Sequence, residues 1–362
     1  MFRSNLTLFR VKGTPVQLHW SVLLIAVFFG SSFAAQYGAI GAVIGVIVFL
    51  GSILAHEIGH ALVARRFGIS TKSIQLWALG GVARLDRDAP TARAEGWIAA
   101  AGPLTSLAIG VIAIGAWLAA TAAGVTAPLL GLVGWLGAVN LLLAVFNMLP
   151  GAPLDGGRVL RAWRWGRHGD RHLATREAAN AGQAVGYSLV GIGMVLMLNG
   201  ASGITLVLTG VFIALSAKAE AMASIVAERV AGVRVGDLTW FGVAQATNET
   251  DATTMLWQRS RLGGAGVVAI VGADGTLTGI VSEEQLLAVP ENERDHISLQ
   301  SLMVPFADVA SADPDEDLSL VLSRLNPAAP IVTVWREGRL LGVVPRKRLL
   351  AKLAKPGPEP TW

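Results

Sequence analysis

Six apolar runs, each long enough or nearly long enough to cross a bilayer, fill roughly the first 225 residues of this 362-residue chain. A bilayer core of about 30 Å takes about 20 apolar residues as a helix. Backbone polar groups at that depth must be satisfied within the segment itself, so such runs commit the chain to a polytopic helical bundle. They fall near 18–35, 39–64, 97–122, 127–149, 184–199 and 202–218. Composition agrees, with 53% hydrophobic residues and only 15% charged, against about 25% charged in soluble domains.

Arg3, Arg10 and Lys12 before the first run, and small residues after it, fit a cleaved leader. A second long run after only Gln36, Tyr37 and Gly38 fits a tight helical hairpin better. Short cytoplasmic loops collect Lys and Arg. Arg65, Arg66, Lys72, Arg84, Arg87 and Arg93 lie between the second and third runs, and Arg158, Arg161, Arg164, Arg167, Arg171 and Arg176 between the fourth and fifth. The connections near Gln36, Thr121 and Asn199 carry no charge. This pattern predicts a multi-pass protein of the cell (plasma or inner) membrane with both termini in the cytoplasm. The net charge of +4 sits in loops, so it reads as topology, and no nucleic-acid partner is expected.

Residues 73–79 and 82–85 are strand-like runs around Gly80-Gly81, which predicts a hairpin at the cytoplasmic membrane face. Residues 6–11 and 16–19 around Gly13-Thr14-Pro15 form a similar pair, and the two hairpins together predict a small sheet lying on the bundle. Beyond residue 225 the composition turns soluble and contains a repeat. Val268-Ala269-Ile270-Val271 followed by Gly275 and Gly279-Ile280-Val281 recurs as Ile331-Val332-Thr333-Val334 followed by Gly338 and Gly342-Val343-Val344. The expected organisation is a membrane domain over 1–224, a linker over 225–235, two α/β modules over 236–295 and 296–353, and a Pro-rich disordered tail over 354–362.

The chain has no cysteine, which excludes iron–sulfur clusters, disulfides and cysteine zinc sites and leaves a metal to His, Asp or Glu. Of six histidines (His19, His56, His60, His168, His172 and His296), two belong to His56-Glu57-Ile58-Gly59-His60 inside an apolar run. At i and i+4 they share one helix face and can reach one ion, with the Glu57 carboxylate beside them to accept a proton from water. A merely structural trio would carry about 2.5–3.5 kcal/mol per intramembrane charge, which favours metal binding. Asp155 can stand at the same depth as a third ligand, because the fourth run also travels inward and ends in Pro150, Pro153 and Gly156-Gly157, an irregular backbone fit to line a cavity. Asp155 could otherwise be a solvated acid opposite Arg158. Asn147 could donate to a substrate carbonyl or oxyanion, or simply pack. His19 reads as interfacial, His168 and His172 as a solvated face, and Gly102-Pro103 as close packing or a kink.

HEIGH in an apolar run, Gly80-Gly81, Ala101-Gly102-Pro103 and NxxPxxPLDGG from Asn147 to Gly157 together resemble the site-2 protease family of intramembrane zinc metalloproteases, peptidase family M50. The tail resembles a pair of cystathionine-β-synthase (CBS) modules. The resemblance implies one zinc ion on His56, His60 and Asp155, with Glu57 as acid and base, cleaving the transmembrane helix of another membrane protein, such as an anti-sigma factor or a tethered transcription factor. A competing reading is a CBS-regulated transporter with the buried His and Asp as an ion path. That would spread polar residues over several depths, whereas these cluster at one. The substrate is expected to lie as a strand against Leu79, Gly80 and Gly81. Where nucleotide-binding CBS modules carry Thr or Ser and then Asp, this chain has Ser282 and Gln285, then Pro345 and Arg348. Adenosine-nucleotide binding is therefore expected to be weak or absent, and the tail to serve homodimerisation or substrate docking.

Overall fold

The computed structural model describes residues 5–11, 13–77, 80–258, 266–322, 324–326 and 331–354. The chain divides into two compact units, Met1–Ser224 and Ile225–Trp362. The first unit contains β1 (Asn5–Val11), β2 (Thr14–His19), α1 (Val22–Arg66), β3 (Thr71–Trp77), β4 (Gly80–Leu85), α2 (Ala92–Ala122), α3 (Leu130–Asn147), α4 (Asp155–His168), α5 (Arg171–Leu198) and α6 (Ile204–Val230), the last running past the unit boundary.

Among the described residues five helices, α1, α2, α3, α5 and α6, are long and apolar enough to cross a bilayer. The 45 residues of α1 would reach about 68 Å if straight, twice the hydrocarbon thickness. They do not run straight. Gly38 takes φ +71° and ψ −179°, a conformation a side chain would resist, and breaks the helix there. The halves fold back on each other, with the Phe29 and Phe49 rings 4.9 Å apart. The result is the expected hairpin, so that the five helices make six apolar helical segments among the described residues.

Other boundaries differ from expectation. The first pass starts at Val22, because His19 ends β2 and its Nδ1 bonds Ser21 Oγ at 2.7 Å. The basic stretch after Asn147 is not a loop. It forms α4, and the charged residues from Arg171 to Glu177 belong to α5. Several of their charges are paired, Arg171 with Asp88 at 2.7 Å and Arg164 with Glu177 at 3.4 Å. The hydrogen bond from Arg171 holds the Asp88 carboxyl below the usual carboxylate range. His168 and His172 do not share a helix face, since a left-handed cap at Gly169 ends α4 and Asp170 caps α5 by accepting the Leu173 N–H at 3.0 Å.

The four strands form one sheet in the order β1-β2-β3-β4, with β2 and β3 parallel and the other pairs antiparallel. It reaches deeper than a surface position at the cytoplasmic face. Leu76 of β3 packs with Val22, Phe49 and Ile53 of α1, further along that helix toward Gly38 than His56 is. An apolar strand tip can enter the bundle because its backbone stays paired within the sheet.

The second unit holds α7 (Val235–Leu238), β5 (Trp240–Phe241), β6 (Ala244–Thr247), α8 (Ala252–Trp257), β7 (Val267–Val271), β8 (Leu277–Ser282), α9 (Glu283–Ala288), α10 (Leu299–Leu302), β9 (Val304–Pro305), β10 (Ala310–Ala312), α11 (Leu318–Leu322), β11 (Val332–Arg336), β12 (Arg339–Val344) and α12 (Arg346–Ala354). The repeat appears as two four-stranded sheets, β6-β7-β8-β9 and β10-β11-β12-β5. The second sheet takes β5 from the region expected to form the first module. Residues up to 230 of the expected linker are helical, and Val230 and Val235 are buried against β10 to β12. The end of the tail, from 355, lies outside the described residues.

Candidate metal centre and active site

The second half of α1 brings His56, Glu57 and His60 inside, all less than 9% exposed. Asp155 starts α4, directly after the turn that follows α3. His56 Nε2 and His60 Nε2 stand 3.1 and 3.2 Å from Asp155 Oδ2, and 3.2 Å from each other. Ligand atoms at about 2.0–2.2 Å on a tetrahedral zinc ion are about 3.3 Å apart, so this triangle has the spacing of three corners of such a shell. No other group of three His, Asp or Glu among the described residues has this arrangement.

The far sides of the rings are held by α2. His60 Nδ1 bonds the Ile98 carbonyl at 2.7 Å, and His56 Nδ1 bonds Ser106 Oγ at 2.9 Å. A carbonyl only accepts, so neutral His60 carries its proton on Nδ1 and turns a bare lone pair toward His56 and the carboxylate. With His56 in the same tautomer, its Nδ1 donating to Ser106 Oγ, two lone pairs and a carboxylate face one another, an arrangement that a bound cation relieves. Gly102 faces both Nε2 atoms so closely that a Cβ would collide with them. The donor set, the spacing and this glycine cradle fit zinc.

Glu57 points the other way along the site. Its Oε2 accepts the Ala83 N–H of β4 at 2.8 Å, and its side chain packs against Gly81. Gly81 therefore stands beside the Glu57 carboxylate with Gly80 before it in β4, while Leu79 lies outside the described residues. Asn147 ends α3 half-buried, with Nδ2 donating to its own helix at Leu143 O, 3.1 Å away, and it is not among the ligand atoms. Ile98 and Ser106 were missed from sequence. Their signal was spacing, because 98, 102 and 106 fall at four-residue steps on one face of α2.

Residues 44–125 and 118–193 match peptidase family M50. Over 381 aligned residues the chain is 38% identical to Rip3 of Mycobacterium tuberculosis, named as a zinc metalloprotease, covering 99% of this chain and 96% of that one. The chain belongs to peptidase family M50. Among solved structures it is similar to a site-2 protease from Methanocaldococcus jannaschii, with 30% identity over 60% of this chain and 95% of that one at a TM-score of 0.45. It also resembles a CBS-domain containing protein from Agrobacterium tumefaciens, with 18% identity over 33% of this chain and 92% of that one at a TM-score of 0.27. This M50 member is a multi-pass membrane protein and an intramembrane zinc metalloprotease, acting on membrane-protein substrate in a lipid environment.

Proposed function

We propose that His56, His60 and Asp155 hold one zinc ion per chain and that Glu57 moves the protons of peptide hydrolysis. The observation that carries this is the bare His60 lone pair, fixed by the Ile98 carbonyl, turned toward a second imidazole and a carboxylate. Zinc held by these three residues would supply Lewis acidity, lowering the pKa of a water it binds to about 7. Glu57 accepts a proton from the attacking water and delivers it to the leaving amine. Ser106 and Ile98 keep the imidazoles oriented, and Asn147 at the end of α3 donates to the scissile carbonyl after leaving Leu143 O.

A helical peptide bond is shielded by its own hydrogen bonds, so a transmembrane substrate must unwind to be cut. Among the described residues the outer edge of β4 pairs with no strand, and its Ala83 N–H donates to Glu57. A substrate added there as a strand regains the bonds it gave up and lies beside the reactive carboxylate. In this reading the active site opens toward the cytoplasmic side of the cell membrane, with both termini on that side. The tail, as a CBS pair over 236–295 and 296–353, is a homodimerisation or substrate-docking platform.

Glu57→Gln removes proton transfer without removing a ligand. It should retain one zinc per chain and lose cleavage of a reconstituted membrane substrate. Metal analysis showing full zinc in a His56→Ala, His60→Ala double variant would refute the ligand set.

A further inference from the structure

We infer that Glu95, Arg161 and Glu220 form a buried clamp that positions Asp155 against the histidine pair. This rests on the ligand assignment above. Glu95 lies in the first turn of α2 and is only 1% exposed. One turn later the Ile98 carbonyl takes His60, and Gly102 and Ser106 follow at four-residue steps. Thus α2 orients the histidines and Glu95 is its buried charge. Arg161 belongs to α4, the helix that starts at Asp155.

The guanidinium joins the two helices. Its Nε donates to Glu95 Oε1 at 2.7 Å, its Nη2 donates to the same oxygen, and its Nη1 donates to Glu220 Oε1 of α6 at 2.9 Å. The other Glu95 oxygen accepts no hydrogen bond and faces Arg171 Nε of α5 at 3.9 Å. Three helices therefore meet at Glu95, and α6 joins the cluster through Arg161.

Nothing in the hydrolytic scheme uses these charges. A buried ion pair is weak as a source of stability compared with apolar packing, so a bundle that needed only cohesion would do better without one. A planar donor fork held by two carboxylates instead fixes direction. Arg161 is six residues from Asp155, about 9 Å along the axis, so a shift or tilt of α4 at the clamp is carried to the ligand. A metal site works only when its donors are held within about 0.5 Å of the productive geometry. Through α2 and α4 the clamp ties the histidine side of the site to its carboxylate side.

The test is zinc affinity, measured by chelator competition on the full-length protein in detergent, beside the thermal stability of the metal-free protein. Glu95→Gln and Arg161→Lys are expected to weaken zinc binding about 10- to 100-fold, the usual effect of losing support behind a ligand. Glu220→Gln sits at the more exposed end of the clamp, keeps the Glu95–Arg161 pair, and is expected to give a smaller loss. It also keeps the test decisive where the buried variants fail to fold. Arg164→Gln is the control, since Arg164 ties α4 to Glu177 of α5 and not to α2; zinc affinity should be unchanged even where stability falls. Unchanged affinity across the folded clamp variants, or an equal loss in the control, overturns the inference. Failure of the ligand assignment shows elsewhere, as full-affinity zinc binding by His56→Ala.

Discussion

The Ile98 carbonyl and the Ser106 hydroxyl lie behind the two imidazoles, and Gly102 between them lies in front of both Nε2 atoms. One stripe of α2 therefore sets the His60 tautomer, the orientation of both rings and the space in front of them. That space is the feature a substitution tests most sharply. Gly to Ala in a helix ordinarily stabilises, by about 0.5–1 kcal/mol. Gly102→Ala should do the reverse to the site, because the added methyl occupies the space that both Nε2 atoms need, and zinc content should fall well below one per chain while helix content is kept. Gly115→Ala, on the same helix with open space around it, should keep full zinc. Metal analysis with circular dichroism on the two variants checks this, and full zinc in Gly102→Ala would remove the cradle from the account.

The elements divide the work between depth and edge. The second half of α1 delivers the HEIGH residues from an apolar helix, while β4, the last strand of its sheet, delivers an edge to the same place, where its Ala83 N–H meets Glu57. Ala83→Pro deletes the N–H that Glu57 accepts and removes one donor from that edge. Cleavage should drop at least about tenfold, the equivalent of a lost hydrogen bond of about 1.4 kcal/mol, with zinc still at one per chain. A rate unchanged in a folded variant would count against strand addition at β4. The HEIGH helix, the two hairpins and the irregular turn before Asp155 were legible in the sequence, because each is set by local chemistry: apolar runs, paired glycines, prolines. The helical state of α4 and of the start of α5 was not. Read alone, Arg158 to Glu177 is a charged stretch between membrane passes. It is helical because Arg161, Arg164 and Arg171 find carboxylates on α2, α5, α6 and the segment before α2, partners distant in sequence. Glu95 escaped notice for the same reason, since its burial is created by helices that come later in the chain.

At the scale of the whole chain, the turn within the 45 residues of α1 could be read from composition, because two apolar runs of that combined length do not fit one bilayer and Gly38 is where they turn. The soluble unit was legible through its repeat, but the exchange of β5 into the second sheet depends on pairing across modules, which no local pattern encodes. That unit also carries the last prediction. At the positions where ribose-binding CBS modules place an acid, Gln285 is already spent. Its oxygen accepts the Ser282 N–H and hydroxyl, each at 2.9 Å, and its amide donates to Leu302 O at 3.0 Å. Arg348 donates to the carbonyls of Thr239 and Leu238 at 3.0 and 3.3 Å and lies over the Trp240 ring at 4.9 Å. Arg346, which could have met a phosphate, pairs with Glu284 at 2.9 Å. A nucleotide would have to break these contacts and would still find no carboxylate at either position for its two ribose hydroxyls, which a buried polar group left unmatched makes costly. Calorimetric titration of the full chain in detergent with ATP, ADP and AMP should show no binding in the micromolar range. A micromolar Kd for any of the three would mean that the tail is a nucleotide sensor after all, and the docking or dimerisation role would then have to be argued from the bound state.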